Sequence, residues 1–399
     1  MSDPFGQIGQ FFLNLLTGLG VEAGLASFLL KVAGAAALAT GCLFSTFFLI
    51  WAERKLLARL QDRLGPNRTG PFGMLQTIAD FAKLVTKELI FPSGVDRPVF
   101  LLAPLLVVMS VVGIWAVVPF APRFIASDVN VGVLYVVSVG SIGTLGIMLA
   151  GWSSNNKYAL LGAFRTVAQL VSYEVPMVLV MLVPVMLSGS MGMVAIVEQQ
   201  RSMWFVVLAP IAFILFYITS LAENGRAPFD LMEAESEIAT GYNVEYSGLM
   251  FGMFFVAEFL HAFTIGALAT TLFLGGWLGP GVDRYPLLGL VYFLGKSAVI
   301  WWSIIWVRMS LPRIRIDQML ALNWKFLTPL ALGVVVVTAV ADKVGPAGTL
   351  GRTAVQLAGN GVVLAFTLLA LRAYAARLRN RPTLATPPAA STSLGAPAQ

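Results

Sequence analysis

The run VFLLAPLLVVMSVVGIWAVVPFA, residues 99–121, contains no charged side chain. A stretch this long and this apolar crosses the roughly 30 Å hydrocarbon core of a bilayer as a helix, at about 20 residues per span. Eight comparable runs surround it, near 27–51, 131–151, 163–188, 203–222, 247–274, 287–310, 324–341 and 353–374. The predicted fold class is therefore all-α, a polytopic membrane protein with about nine transmembrane helices. Composition agrees with this. Of 399 residues, 58% are hydrophobic and 12% charged, and the mean hydropathy is +0.82. A soluble domain is about one quarter charged, so this chain has too little polar surface to cover a water-soluble globule.

Residue usage excludes several chemistries. The single cysteine, Cys42, allows no internal disulfide and no iron–sulfur cluster, which needs about four thiolates. The single histidine, His261, excludes ligation of haem by a histidine pair and a multi-histidine zinc site. No glycine-rich nucleotide-binding loop is present. Chemistry in this chain falls to carboxylates, arginines, lysines and the backbone. The net charge of +6 reads as a topology signal beside membrane spans, not as a nucleic-acid footprint.

Nineteen Lys and Arg residues fall in one set of alternating loops, and six fall in the other. The positive-inside rule then places the N-terminus outside and the C-terminus in the cytoplasm. Residues 1–26 lack the basic start of a signal peptide, and their FFLNLL run predicts an interfacial segment. A core of eight helices is expected over 27–341, with cytoplasmic loops at 52–98, 222–246 and 311–323. An additional helix follows at 353–374. The Pro/Ala/Ser/Thr-rich stretch 375–399 is expected to be a disordered cytoplasmic tail.

Two cytoplasmic segments concentrate the unusual residues. In 53–88, Gly65-Pro66 and Gly70-Pro71 bracket a turn. Beyond it Leu75, Ile78, Ala82, Val85 and Leu89 form one helical stripe, with Gln76, Asp80, Lys83 and Lys87 on another. This pattern predicts an amphipathic helix lying along the membrane or against a partner, although its basic residues would also serve as topology anchors. In 222–248, Glu223, Asp230, Glu233, Glu235, Glu237 and Glu245 oppose one base, Arg226. Were the chain helical after Pro228, Asp230, Glu233 and Glu237 would share a face. Crowded carboxylates raise one another's pKa, which suits groups that bind and release protons, whereas a solvated acidic loop is the alternative. Glu174 and Glu258 lie inside apolar runs, where a carboxylate is costly and faces a cavity, a partner or a water path. Pro176 is expected to break the helix after Glu174. His261, one turn from Glu258, reads as a local hydrogen-bonding residue, and Cys42 as a packing residue. A third cytoplasmic group, WVRMSLPRIRIDQML at 306–320 with Arg308, Arg313, Arg315 and Asp317, suits ion pairs, although alone it reads as another topology signal.

At these segments the sequence resembles a known family. The blocks ERK…QDRLGPNRTGPFGMLQTIADFAKLVTKE, GWSSNNKYALLGAFRTVAQLVSYE, AENGRAPFDLMEAESEIATGYNVEYSG with FFVAEF, and PRIRIDQML are similar to the membrane subunit at the heel of respiratory complex I. That enzyme is the proton-pumping NADH:quinone oxidoreductase, and its heel component is called the H subunit in bacteria and subunit 1 in mitochondria. The blocks keep the family's order and cover about 45–330. The resemblance implies a membrane-side quinone chamber lined or shaped by Arg54, Arg63, Arg226, Phe229, Asp230 and Arg315. It also implies a proton path through Asp80, Glu174, Glu223, Glu233, Glu235, Glu237, Glu245 and Glu258. Quinone, either ubiquinone or menaquinone, would be the substrate. Flavin mononucleotide and the iron–sulfur clusters would reside in partner subunits. The expected partners are the peripheral-arm quinone-site subunits, the antiporter-like membrane subunits and lipid, in the bacterial plasma membrane, with no nucleic acid and no metal. The resemblance says nothing of the ninth helix or the tail.

Two other readings compete. A stand-alone proton-coupled transporter would show an internal repeat, and none is visible. The homologous component of a membrane-bound hydrogenase-type complex shares the architecture, but the GPNRTGP and AENGRAPFDLMEAESE blocks match complex I more closely.

Overall fold

The computed structural model describes residues 4–232, 240–345 and 349–379. The chain runs through helices α1 (Pro4–Gly18), α2 (Ala23–Leu60), α3 (Gln76–Thr86), α4 (Arg97–Ile114), α5 (Gly132–Ser153), α6 (Lys157–Ser188) and α7 (Met193–Gln199). It continues through α8 (Phe205–Leu208), α9 (Pro210–Glu223), α10 (Gly248–Phe273), α11 (Pro286–Ser310), α12 (Ile316–Leu322), α13 (Thr328–Val344) and α14 (Thr349–Arg379). No β-strand occurs among the described residues, only one isolated bridge between Ala121 and Phe124. The protein is an all-α polytopic membrane protein.

Eight helical stretches among the described residues are long and apolar enough to cross a bilayer. One of them, Ile316–Val344, joins α12 to α13 through a π-helical turn at Asn323–Leu327. The expected fifth span at 203–222 differs. There the chain forms the four-residue α8 and the 14-residue α9, separated at Ala209, whose φ/ψ of −135°/64° is not helical. Pro210 explains the break, because it has no N–H to continue α8 and its fixed φ suits the first position of a new helix. At 1.5 Å per residue, α9 is about 21 Å long, shorter than a bilayer core.

Helix α2 differs in the other direction. Hydropathy ends its span at 51, yet the helix runs to Leu60, since ERKLLARL consists of good helix formers and no Gly or Pro follows until Gly65. Glu53 and Arg54 are thereby fixed on a helix and not in a loop.

The expected break at Pro176 does not occur: α6 passes through both Pro176 and Pro184. The proline ring removes the bond that would cap the Ser172 carbonyl. Asn323 of the π-turn fills that place, donating Nδ2–H to Ser172 O at 2.5 Å. Transmembrane helices tolerate proline where a neighbour satisfies the freed group in this way. Asn156 starts α6, its Oδ1 accepting from the Tyr158 N–H at 2.9 Å, and Gly189 ends it in the left-handed region at φ 69°.

Small residues set the close helix approaches. A Cβ added at Gly146 of α5 would come within 2.6 Å of Val107 Cγ2 on α4. The buried core runs through α4, α5, α6, α9 and α10, with Trp115 Nε1 donating to Thr264 Oγ1 at 2.8 Å across it. The last apolar run lies in α14, which is long and apolar enough to cross a bilayer. It packs on α13 and α8 and buries Gln356 and Asn360.

Candidate functional site: connected cavities around Arg226

The C-terminal ends of α2, α9 and α11 converge with the loops joining α9 to α10 and α11 to α12. At their centre lies Glu53, with its side chain 5% exposed. Its Oε1 accepts from Arg226 Nη1 at 3.0 Å and from Arg308 Nη1 at 2.6 Å. Arg226 Nε lies 3.2 Å from Glu258 Oε1, and its guanidinium stands 5.0 Å from the centre of the Phe259 ring. The buried pair Glu53–Arg226 is thus flanked by the part-exposed Glu258 and Arg308, so that two arginines and two carboxylates from four segments offset one another, as ions taken out of water require.

The backbone around Arg226 is held equally firmly. Gln169 of α6 donates Nε2–H to Ala222 O at 2.7 Å and to Phe229 O at 2.8 Å, capping the end of α9 and pinning the loop. Ile314 N donates to Pro228 O at 2.9 Å, so the PRIR segment lies against the acidic loop. No helix forms over the described residues 224–232.

Three spaces adjoin this cluster. The first is a cavity of about 570 Å³ lined by Glu223, Asp230, Glu258, His261, Arg308 and Arg313, with α4 and α5 forming its apolar wall. Burial lifts the Asp230 carboxyl above the usual carboxylate range, against the opposing pull of Arg226 and Arg313. The second is a pocket of about 440 Å³ bounded by Glu53, Arg54, Arg63 and Phe259. The third is an apolar groove of about 1270 Å³ between α2, α3 and α10. Arg54 and Phe259 belong to both the pocket and the groove, and Phe255 belongs to both the groove and the first cavity. The α10 face therefore leads from an apolar surface to an acidic interior within about one helical turn.

The amphipathic helix is present as α3, ending at Thr86, so Lys87 and Leu89 lie beyond it. Its apolar stripe is exposed at Ile78 and Val85, and Asp80 on its polar stripe pairs with Arg54 at 2.5 Å. Ser247 ties the following segment to the start of α10, accepting from Ile90 N at 3.1 Å and donating to Glu88 O at 3.3 Å.

The remaining expected site residues spread more widely. Glu174 accepts a hydrogen bond from Ser141 Oγ and lines a smaller void with Glu223 and His261. Glu245 accepts from Asn156 Nδ2 at 2.6 Å, at the start of α6, and lines none of these spaces. Phe229 is buried with its ring 5.3 Å from Tyr173, and Arg315 is exposed at the start of α12; neither borders the cavities. Arg63 donates Nε–H to Gln61 at 2.8 Å at the rim of the second pocket. Glu233, Glu235 and Glu237 lie outside the described residues. Sequence reading missed Glu53, Gln169 and Arg308 as site residues. The signal for Glu53 was an acid at the end of an apolar run; Arg308 read as an ion-pairing or topology residue with no partner assigned, and Gln169 carried no signal.

A family model described as NADH dehydrogenase matches residues 33–339. The chain belongs to the NADH dehydrogenase family. Among its relatives is the NADH-quinone oxidoreductase H subunit of Dehalococcoides mccartyi (strain CBDB1), 49% identical over 302 residues, covering 76% of this chain and 84% of the relative. The H subunit of Rhodospirillum centenum is 44% identical over 311 residues, covering 77% and 92%. That of Paramagnetospirillum magneticum is 43% identical over 328 residues, covering 82% and 96%. The matched part of this NADH dehydrogenase family member contains the buried cluster and the three spaces, while α14 lies beyond it.

Proposed function

We propose that this chain is the H-type membrane subunit of a proton-translocating NADH–quinone oxidoreductase, respiratory complex I, in a bacterial plasma membrane. It forms the membrane-side part of the quinone site and begins the proton path. The flavin and iron–sulfur clusters belong to partner subunits, and electrons reach the quinone from outside this chain. Peripheral-arm and antiporter-like subunits are its partners, with the N-terminus outside and the C-terminus cytoplasmic.

One arrangement supports this reading above the others: the apolar groove meets the charged cluster through residues common to both, Arg54 and Phe259. A quinone is an apolar tail with a polar head. The groove offers the tail a surface between α2, α3 and α10, at about 0.8 kcal/mol per buried CH₂. At the inner end Arg54 and the Arg226–Phe259 stack provide cationic and aromatic groups for the head. Reduction of a quinone takes up two electrons and two protons. Negative charge developing there acts on the buried ion pairs, and Glu258, paired to Arg226 yet lining the acidic cavity, carries that change inward. Asp230, Glu223 and Glu174 continue the line of acids.

The test is NADH:quinone reductase activity and proton pumping in membranes carrying Arg54→Ala and, separately, Glu258→Gln, with assembly checked on native gels. Arg54→Ala should raise the apparent KM for quinone several-fold. Glu258→Gln should lower pumping. Unchanged KM and unchanged pumping in assembled complexes would sink the proposal.

A further inference from the structure

The 570 Å³ cavity and the small void beside Glu174 meet at a partition. Four residues line both: Ile114, Gly140, Glu223 and His261. Ile114 and Gly140 cannot carry a proton, so only Glu223 and His261 can hand one across. His261 follows Glu258 by three positions on α10, which puts both on one helix face and both into the larger cavity. Its Nε2 lies 3.9 Å from Glu223 Oε1 on α9. That exceeds a direct hydrogen bond, so exchange needs a carboxylate rotation or one bridging water, for which the larger cavity has room.

We propose that His261 is the proton relay across this partition, resting on the proton-path reading above. Imidazole is suited to the step because its two nitrogens exchange roles. Nε2 takes a proton from the Glu223 carboxyl, Nδ1 releases one toward the Glu174 side, and the ring returns by tautomerisation or rotation with no net charge left behind. The ionisable groups around it are Glu258 on its own helix, Glu223 on α9, Glu174 on α6, Asp230 and Tyr242 between α9 and α10, and Arg308 and Arg313 at and beyond the end of α11. Helices α4 and α5 contribute only Ile114 and Gly140 at the partition. A purely structural histidine would only fill this volume beside Glu223; a relay must also exchange protons during turnover.

His261→Asn and His261→Gln keep a polar amide in place of each ring nitrogen in turn but cannot pass on a proton. Each is compared with wild type and with Glu223→Gln as assembled complex in inverted membrane vesicles, measuring quinone reduction and pumping as functions of pH. Positioned proton-transfer groups contribute about 10²–10⁴-fold, and water offers a partial bypass. The expected result is a drop of ~10-fold in pumping rate, with an altered pH profile in both histidine variants and unchanged quinone KM. Wild-type pumping and pH profile in either assembled histidine variant, with pumping impaired in Glu223→Gln, overturns the relay and leaves the path. Normal pumping in all three variants overturns the path and the relay together. A structural role would lower assembly without shifting the pH profile of the complex that remains.

Discussion

Glu53 accepts from two arginines that lie 173 and 255 residues away along the chain. Removing Glu53 takes its carboxylate from the part-exposed Arg308 and leaves the buried Arg226 to Glu258, and breaking a buried pair costs up to about 3–5 kcal/mol. Glu53→Ala should therefore lower the unfolding temperature of the purified complex or prevent its assembly, whereas Arg63→Ala at the exposed rim should do neither; thermal unfolding in detergent distinguishes them. Asp230 gives a pH dependence. Its folded pKa lies above that of the unfolded chain, so the native state binds the proton more tightly. Its charging therefore costs stability as pH rises from the unfolded value through the folded one, and the protonated native form is favoured at the acid end. Asp230→Asn should flatten this part of the stability profile, measured as unfolding temperature from roughly pH 4 to pH 7. Tyr246, pushed up to about 12 by burial, stays protonated throughout, donating to Phe100 O at 3.2 Å while its ring stacks on Phe100.

At the scale of elements, α6 shows how a neighbour decides whether proline breaks a helix. The rule that proline interrupts a helix is local, and it fails at Pro176 because Asn323 caps the freed Ser172 carbonyl. Asn323→Leu would leave that carbonyl unsatisfied and should destabilise the protein by about 1–3 kcal/mol, read as a lower unfolding temperature. At Pro210 the opposite outcome holds: α8 and α9 separate there, and Asn360 of α14 donates to Leu208 O at 3.0 Å across the break. Pro176 and Pro210 look alike in a hydropathy plot. The group that satisfies the freed carbonyl at Pro176 arrives from 147 residues further along the sequence, which no local pattern reports.

For the whole molecule, the family core and α14 make separable contributions. The cavities lie within 33–339, while α14 supplies Asn360 to Leu208, Gln356 to Thr338 and Arg352 to Asp342 at 2.6 Å. Ending the chain at Gly345 should leave the quinone KM unchanged and lower the unfolding temperature, since each of these polar groups left unsatisfied costs about 1–3 kcal/mol; kinetics and unfolding of the truncated complex check both. A fall in reductase activity with assembly intact would mean that α14 bears on the site.

Fold class, most of the spans and the amphipathic helix were legible in the sequence, because hydropathy and helical periodicity are properties of neighbouring residues; the run at 203–222 was the exception, since Pro210 divides it into α8 and α9. The acids inside spans were legible for the same reason: Glu174 and Glu258 stand out against apolar surroundings. Which acids meet was not. Glu258 joins Arg226 and lines the cavity, while Glu245 turns to Asn156 and Asp80 to Arg54. The pairing of Glu53 was equally hidden, since beyond the apolar run it reads as a lone acid until the loop after α9 and the end of α11 bring two arginines to it. The sequence by itself determined that the chain crosses a membrane many times and carries ionisable groups within it. Tertiary packing alone decided which of those charges are paired, because pairing depends on helices adjacent in space and far apart in the chain.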